Sequence, residues 1–135
     1  MWSGFYGGVI VEGKLPKKTE KPWGYELLFA HTPGYAGKLI FIKKGHRLSL
    51  QYHEKKDESI YVYEGKARLE VEGNDGQMVS TVAGPGYCVR ISPLTKHRLE
   101  AMEDTTLFEV STPELEDVRR LEDDYGRAGQ GNPTS

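Results

Sequence analysis

Glycine and proline cut this chain into pieces too short for most architectures other than a sheet. Sixteen glycines and seven prolines punctuate 135 residues. The segments between them are rich in Val, Ile, Leu, Tyr and Phe, the composition of strands. Strands are predicted at Tyr25–Ala30, Lys38–Lys43, Arg47–His53, Ser59–Tyr63, Lys66–Glu72, Met78–Val82, Tyr87–Ile91, Arg98–Met102 and Thr106–Ser111. Lys66–Glu72 alternates cleanly, with Ala67, Leu69 and Val71 on one face. Gly73-Asn74-Asp75-Gly76 follows it and accepts the positive φ of a hairpin turn. Many short strands at near-even spacing give an all-β sandwich or barrel. The length suits one domain.

The ends read differently. Thr112 can cap a short C-terminal helix, with Pro113 at its first position and Glu114, Glu116 and Asp117 near its positive end. Leu115, Val118 and Leu121 then form a stripe at helical spacing. The domain plan is an N-terminal extension over 1–20 with room for an edge strand at Gly7–Val11, and a barrel over 21–112. A helix and an acidic-Tyr-Gly-Arg segment follow over 113–127, then a flexible Gly- and Pro-containing tail over 128–135. Lys14–Lys21 is charged and reads as exposed.

Charge narrows the partners. Eighteen Lys and Arg against 20 Asp and Glu leave −2, so there is no basic field for nucleic acid and no polybasic patch for a membrane. Leu27–Ala30 and Leu39–Ile42 are far too short to span a bilayer. Met1-Trp2-Ser3-Gly4-Phe5 is unlike a secretory signal, and the single Cys88 allows no internal disulfide. The expectation is a cytoplasmic protein, with Cys88 packed as a small hydrophobe in its strand.

Chemistry concentrates in Gly45–His53. With a period of two, Arg47, Ser49, Gln51 and His53 share one strand face and Leu48, Leu50 and Tyr52 the other. Such a polar face belongs either in water or around a metal inside a barrel. Glu58 follows after a short loop, with Ile60 and Val62 on its face, and His97 comes after a Pro93-Leu94-Thr95-Lys96 turn. Imidazole, carboxylate and amide oxygen are all ligands for a divalent metal.

These residues resemble the cupin family. The first cupin motif is matched by Gly45, Gln51-Tyr52-His53, Glu58 and Gly65 at every spacing, with Gln51 where the first His usually stands. The second is matched by Gly86, Pro93 and His97, but Ala101 replaces the usual Asn. Leu48-Ser49-Leu50-Gln51-Tyr52-His53 looks like the Leu-Ser-x-Gln-x-His stretch of mannose-6-phosphate isomerases. Lys21-Pro22-Trp23-Gly24-Tyr25-Glu26 and Val118–Arg127 resemble two further signatures of the type II isomerases. The resemblance spans roughly 20–127. It departs at Lys56, where the type II family commonly has Arg, and at Ser59-Ile60, where an aromatic or polar pair is usual.

The resemblance implies a cupin-type double-stranded β-helix, a jelly-roll barrel. It implies Gln51, His53, Glu58 and His97 as ligands of one divalent ion (zinc, manganese, nickel or iron). The implied activity is aldose–ketose isomerisation of a sugar phosphate through a metal-stabilised enediolate. Lys56 is the first candidate for the base, its pKa lowered by burial beside a cation. Arg47 is the best-placed phosphate clamp and Lys43 a weaker one. Arg90 and Arg98 also attract notice, but Arg98 points opposite to His97 by parity and reads as a surface charge. His31 and His46 read as surface or loop histidines, and Trp23 as closing the barrel end. Competing readings are a cupin dioxygenase, decarboxylase or lyase, a non-catalytic small-molecule-binding cupin, and a barrel with no metal. The ligand is a small molecule, a phosphorylated or hydroxylated sugar. Leu48, Leu50, Tyr52, Tyr61 and Tyr63 face away from the pocket, and with the resemblance they favour a homodimer.

Overall fold

The structure is a computed structural model that describes residues 2–6 and 9–129. The chain runs through β1 (Trp2–Tyr6), β2 (Val9–Gly13), β3 (Lys17–Lys21), β4 (Gly24–His31), β5 (Ala36–Ile42), β6 (Leu50–Tyr52) and β7 (Glu58–Glu64). It continues through β8 (Ala67–Glu72), β9 (Met78–Ala83), β10 (Cys88–Ile91), β11 (His97–Ala101), β12 (Thr105–Ser111) and β13 (Arg119–Glu122). All pairings are antiparallel. One sheet has the order β10-β7-β12-β5-β4-β3, and a second the order β13-β6-β11-β8-β9. The β1–β2 hairpin pairs only with itself among the described residues. This is the expected jelly-roll: outside the β3–β4–β5 and β8–β9 pairings, strands adjacent in each sheet are distant in sequence, and the core lies between the two inner faces.

Period-two alternation decides what enters that core. β5 turns Ala36, Lys38, Ile40 and Ile42 inward, β7 turns in Glu58, Ile60 and Val62, and β12 turns in Thr105, Leu107 and Glu109. Trp23, Ile40, Leu48, Ile60, Leu69, Leu99 and Leu107 form one apolar cluster. Each such buried side chain contributes about 1.5–3 kcal/mol. Trp23 is wholly buried within it, closing the barrel end as the sequence suggested. Gly24 follows because a Cβ there would lie 1.9 Å from the Phe41 carbonyl oxygen. Gly65 turns β7 into β8 at φ 95°, where a Cβ would meet Asp104 O at 2.3 Å.

Three local expectations are corrected. No helix is present over 113–127, nor anywhere among the described residues. Turns lead instead into β13, which pairs Arg119 with Tyr52, Arg120 with Gln51 and Glu122 with Leu50. The open edge of β6 supplies backbone partners that outweigh weak local helix propensity. Val118 is buried while Leu121 is exposed, so the apparent stripe does not share a face. Second, Lys17–Lys21 is exposed in part but forms edge strand β3, where charges block further pairing. Third, Arg47–His53 is not one strand: Arg47 makes an isolated bridge to Glu100 and regular pairing resumes at Leu50. Leu48 and Ser49 are both buried, so strict alternation breaks between them. Residues 130–135 of the expected tail lie outside the described residues. No helix is long and apolar enough to cross a membrane among the described residues.

Candidate metal centre

Gln51 and His97 are direct cross-strand partners, so their side chains share the inner face of the second sheet. His53 follows β6, and Glu58 opens β7 on the opposite sheet. Ligands from neighbouring strands therefore converge across the barrel, and all four residues are buried. His53 Nε2 lies 3.3 Å from Glu58 Oε1, and His97 Nε2 lies 3.2 Å from the same oxygen. Gln51 Nε2 stands 3.5 Å from His97 Nε2, and Ser49 Oγ is 2.9 Å from Gln51 Oε1. The two ends of that amide are interchangeable, so Gln51 can present its oxygen while Ser49 accepts from its nitrogen.

The backbone sets the imidazoles. His53 Nδ1 bonds the Asp117 carbonyl, and His97 Nδ1 bonds the Thr95 carbonyl at 2.9 Å. A carbonyl only accepts, so each ring carries its proton on Nδ1 and aims an Nε2 lone pair inward. Two imidazole lone pairs and a carboxylate oxygen then meet, acceptor against acceptor. Such a cluster is unfavourable until a cation enters it. Bonds of about 2.0–2.2 Å at right-angled to tetrahedral geometry set donor atoms about 2.8–3.6 Å apart. The observed 3.2 and 3.3 Å fall within that range. Histidines fixed through their outer nitrogen are what metal sites require. His53, Glu58 and His97 thus fit a divalent ion, and the Gln51 amide stands beside them.

Beyond the donors lies a buried charge relay. Lys56 is 1% exposed, and its Nζ sits 3.3 Å from Glu58 Oε2 and 3.1 Å from Glu109 Oε2. Burial works to raise the Glu58 carboxyl, but the Lys56 cation beside it holds it well below the ordinary range. Burial works to lower Lys56, but Glu109 and Glu58 together raise it above lysine's ordinary value. The two carboxylates act against the lowering expected for a lysine buried beside a cation. Glu109 is the group moved toward neutrality, pushed up to about 7 by burial and by Glu58, against the pull of Lys56.

A cavity of ≈ 20 Å³ opens beside the donors, lined by Gln51, Glu58, His97 and Glu109 among others. Glu109 lines it and Lys56 does not. Sequence reading missed Glu109, and also the buried Glu26–Lys38 pair at 3.1 Å. Parity could have found Glu109 and Lys38, which lie two residues from the core aliphatics Leu107 and Ile40, while Glu26 lies two from half-buried Leu28.

Other candidates sit elsewhere. Arg47 is about two-fifths exposed and grips Asp124 at 2.7 and 2.9 Å, away from the donors. Lys43 is exposed. Arg90 pairs with Asp57 on the surface. Arg98 is not a surface charge: it is buried, lines the cavity, and donates to the Leu48 carbonyl and to Asp124. All of β11 from His97 to Leu99 is covered, so parity cannot expose it. His31 is exposed, while half-buried His46 bonds Tyr125 Oη at 2.8 Å. Cys88 is exposed rather than packed.

The cupin domain family matches residues 38–111, just over half of the chain. This chain belongs to the cupin family. The cupin match takes in Gln51, His53, Lys56, Glu58, His97 and Glu109, and leaves Glu26 and Asp117 outside. No curated protein matches the chain. Among solved cupin-like structures, KdgF from Halomonas sp. is 21% identical, with 72% of this chain and 87% of that one covered and a TM-score of 0.62. A mutant of Bacillus subtilis oxalate decarboxylase is 16% identical over 82% of this chain, with a TM-score of 0.71. Lactobacillus farciminis oxalate decarboxylase in a formate complex is 18% identical over 78%, with a TM-score of 0.67. This chain spans about a third of the length of those two decarboxylases. These likenesses are of fold.

Proposed function

We propose that this cupin is a metal-dependent aldose–ketose isomerase of the mannose-6-phosphate isomerase type, with Gln51, His53, Glu58 and His97 as its ligands. The observation that carries the reading is a proton-transfer pair beside the donors. Glu109 lines the inner cavity, and Lys56 bridges it to Glu58 at 3.1 and 3.3 Å. A bound divalent ion would polarise a substrate carbonyl and make the neighbouring C–H more acidic. Glu109 then takes that proton and returns it to the adjacent carbon. Lys56 keeps Glu109 in place and balances the two carboxylates. It acts as a positioning cation, and it is the second candidate for the base. Trp23, Ile40, Leu69 and Leu107 exclude water from the reacting end.

The test is a coupled assay. Protein is stripped, reloaded separately with zinc, manganese, nickel and iron, and offered mannose 6-phosphate, with His53→Ala beside it. Metal-dependent turnover lost in His53→Ala supports the reading. Metal uptake without turnover removes this activity.

The narrowness of the inner cavity favours a second reading, in which the same centre serves a smaller substrate as a decarboxylase, lyase or dioxygenase. Oxalate decarboxylase of Bacillus subtilis carries Mn(II) centres, which makes manganese the first ion to try. The reading keeps a cytoplasmic homodimer. Exposed Phe29, Tyr61, Tyr63 and Val110 on the outer face of the six-stranded sheet support the dimer, which sedimentation tests.

A further inference from the structure

A second cavity, of ≈ 170 Å³, lies next to the first. A water needs about 10–15 Å³ on this measure, so the inner cavity admits a water or one end of a substrate. The outer cavity is several times larger. Glu26 lines both and is the wall between them. Lys38 lines the outer one, beneath Leu115 and Glu116 of the turn segment before β13. Cross-strand register ties the two spaces together. Lys17, Leu28, Lys38 and Glu109 are successive partners across β3, β4, β5 and β12, so they form one inward-facing row.

The Glu26–Lys38 pair is an expensive thing to bury. Two charges only 2% exposed lose their hydration, and an apolar pair of similar volume would cost less. Both groups keep unused capacity. An ammonium has three donors, and among the described residues Lys38 Nζ gives hydrogen bonds only to the two Glu26 oxygens, at 3.1 and 3.5 Å. A carboxylate accepts about four hydrogen bonds. A donor and an acceptor 3.1 Å apart match adjacent hydroxyls of a diol, one accepting from Lys38 and the other donating to Glu26. Lys17 and Glu116 add one charge of each sign, so the cavity carries no net charge to hold a phosphate dianion. Leu28 and Leu115 offer apolar cover for the C–H surface of such a chain.

We propose that this outer cavity is a polyol subsite, in which Glu26 and Lys38 hold adjacent hydroxyls of a substrate whose carbonyl end reaches the His53–Glu58–His97 centre. The inference rests on the isomerase reading for that last clause alone. It assigns to this cavity an uncharged polyhydroxyl stretch of the substrate, and places any phosphate outside it.

D-Mannitol, which has no carbonyl, is the probe. Its binding to the full-length protein is measured by saturation-transfer NMR and calorimetry, with and without bound metal. The expected result is binding in both states, weakened about tenfold or more by Glu26→Gln combined with Lys38→Met. Should that double variant not fold, Leu115→Trp fills the cavity from its cover and gives the same loss. Metal uptake stays unchanged in either variant. Unaltered affinity in a folded variant overturns the subsite, and so does absence of wild-type binding at the solubility limit of mannitol. D-Mannitol 6-phosphate binding about tenfold tighter than mannitol to the wild type but not to the double variant also overturns it, because this cavity itself would then hold the anion. Mannitol binding without isomerase turnover leaves the subsite standing and removes the isomerase.

Discussion

Asp117 holds His53 and the loop after it at once. Its carbonyl bonds His53 Nδ1, while its carboxylate accepts the backbone N–H groups of Glu54, Lys55 and Lys56 at 2.6–3.0 Å. One residue outside the matched cupin region thereby fixes a ligand, the lysine two residues before Glu58, and the turn between them. Asp117→Ala removes three charge-assisted acceptors from N–H groups that need them. The expected cost is about 2–4 kcal/mol in urea denaturation. Metal affinity falls about 10–100-fold in a chelator competition, because His53 loses its orientation. Unchanged affinity would show that the carbonyl contact alone positions the ring.

The same contact sets an acid dependence. Burial works to raise the Asp117 carboxyl, but the N–H groups of Lys55, Glu54 and Lys56 pull it below its ordinary value. A group depressed in the folded state stabilises above its unfolded pKa, about 3.9 for aspartate, and that stability is lost as pH falls through the folded value. Wild-type stability therefore drops more steeply than that of Asp117→Asn below about pH 4. Parallel slopes in acid denaturation would count against the carboxylate as a clamp.

Lys56 and Glu109 give a test of charge balance that is separate from turnover. Lys56→Met leaves Glu58 and Glu109 facing each other in the barrel without their cation. The expected destabilisation is about 3–5 kcal/mol. Glu109→Gln removes one of those charges, so adding it to Lys56→Met restores part of the loss, and a double-mutant cycle shows strong coupling. Alone, Glu109→Gln keeps the fold and lowers kcat about 10²–10⁴-fold in whichever reaction the metal-loaded protein catalyses. Full turnover in Glu109→Gln would return the role of base to Lys56.

The sequence carried the barrel well and its lining unevenly. Eight of the nine expected strands recur near their expected bounds, because each is a short run of strand-forming residues between turn residues, and His53 and Glu58 were legible because family spacing runs through Gly45, His53, Glu58 and Gly65. What stayed hidden depends on tertiary pairing. The edge of β6 draws 119–122 into a strand although Leu115, Val118 and Leu121 have helical spacing. Arg47 left the ligand face because the register against β11 slips by one residue between Arg47, opposite Glu100, and Gln51, opposite His97. Glu26, Lys38 and Glu109 escaped because a charge in an apolar strand is by habit sent to solvent, although parity pointed Lys38 and Glu109 inward.

Metal should also be visible as stability. His53 Nε2, His97 Nε2 and Glu58 Oε1 converge with no hydrogen-bond donor assigned between them once both Nδ1 protons are committed to Asp117 and Thr95. An ion that binds this folded cluster and not the unfolded chain stabilises by about 2.7 kcal/mol at a hundredfold excess over Kd. For a chain of this size that corresponds to a rise in Tm of about 8–12 °C. The rise should vanish on chelation and in His97→Ala. His97→Ala has a second use, because it removes one acceptor from the cluster and relieves the crowding around Glu58. Its metal-free form should therefore lose less stability than an ordinary buried large-to-small change, which costs about 2–5 kcal/mol. Equal Tm values for wild type with and without each of the four ions would argue that the three donors hold a proton rather than a metal.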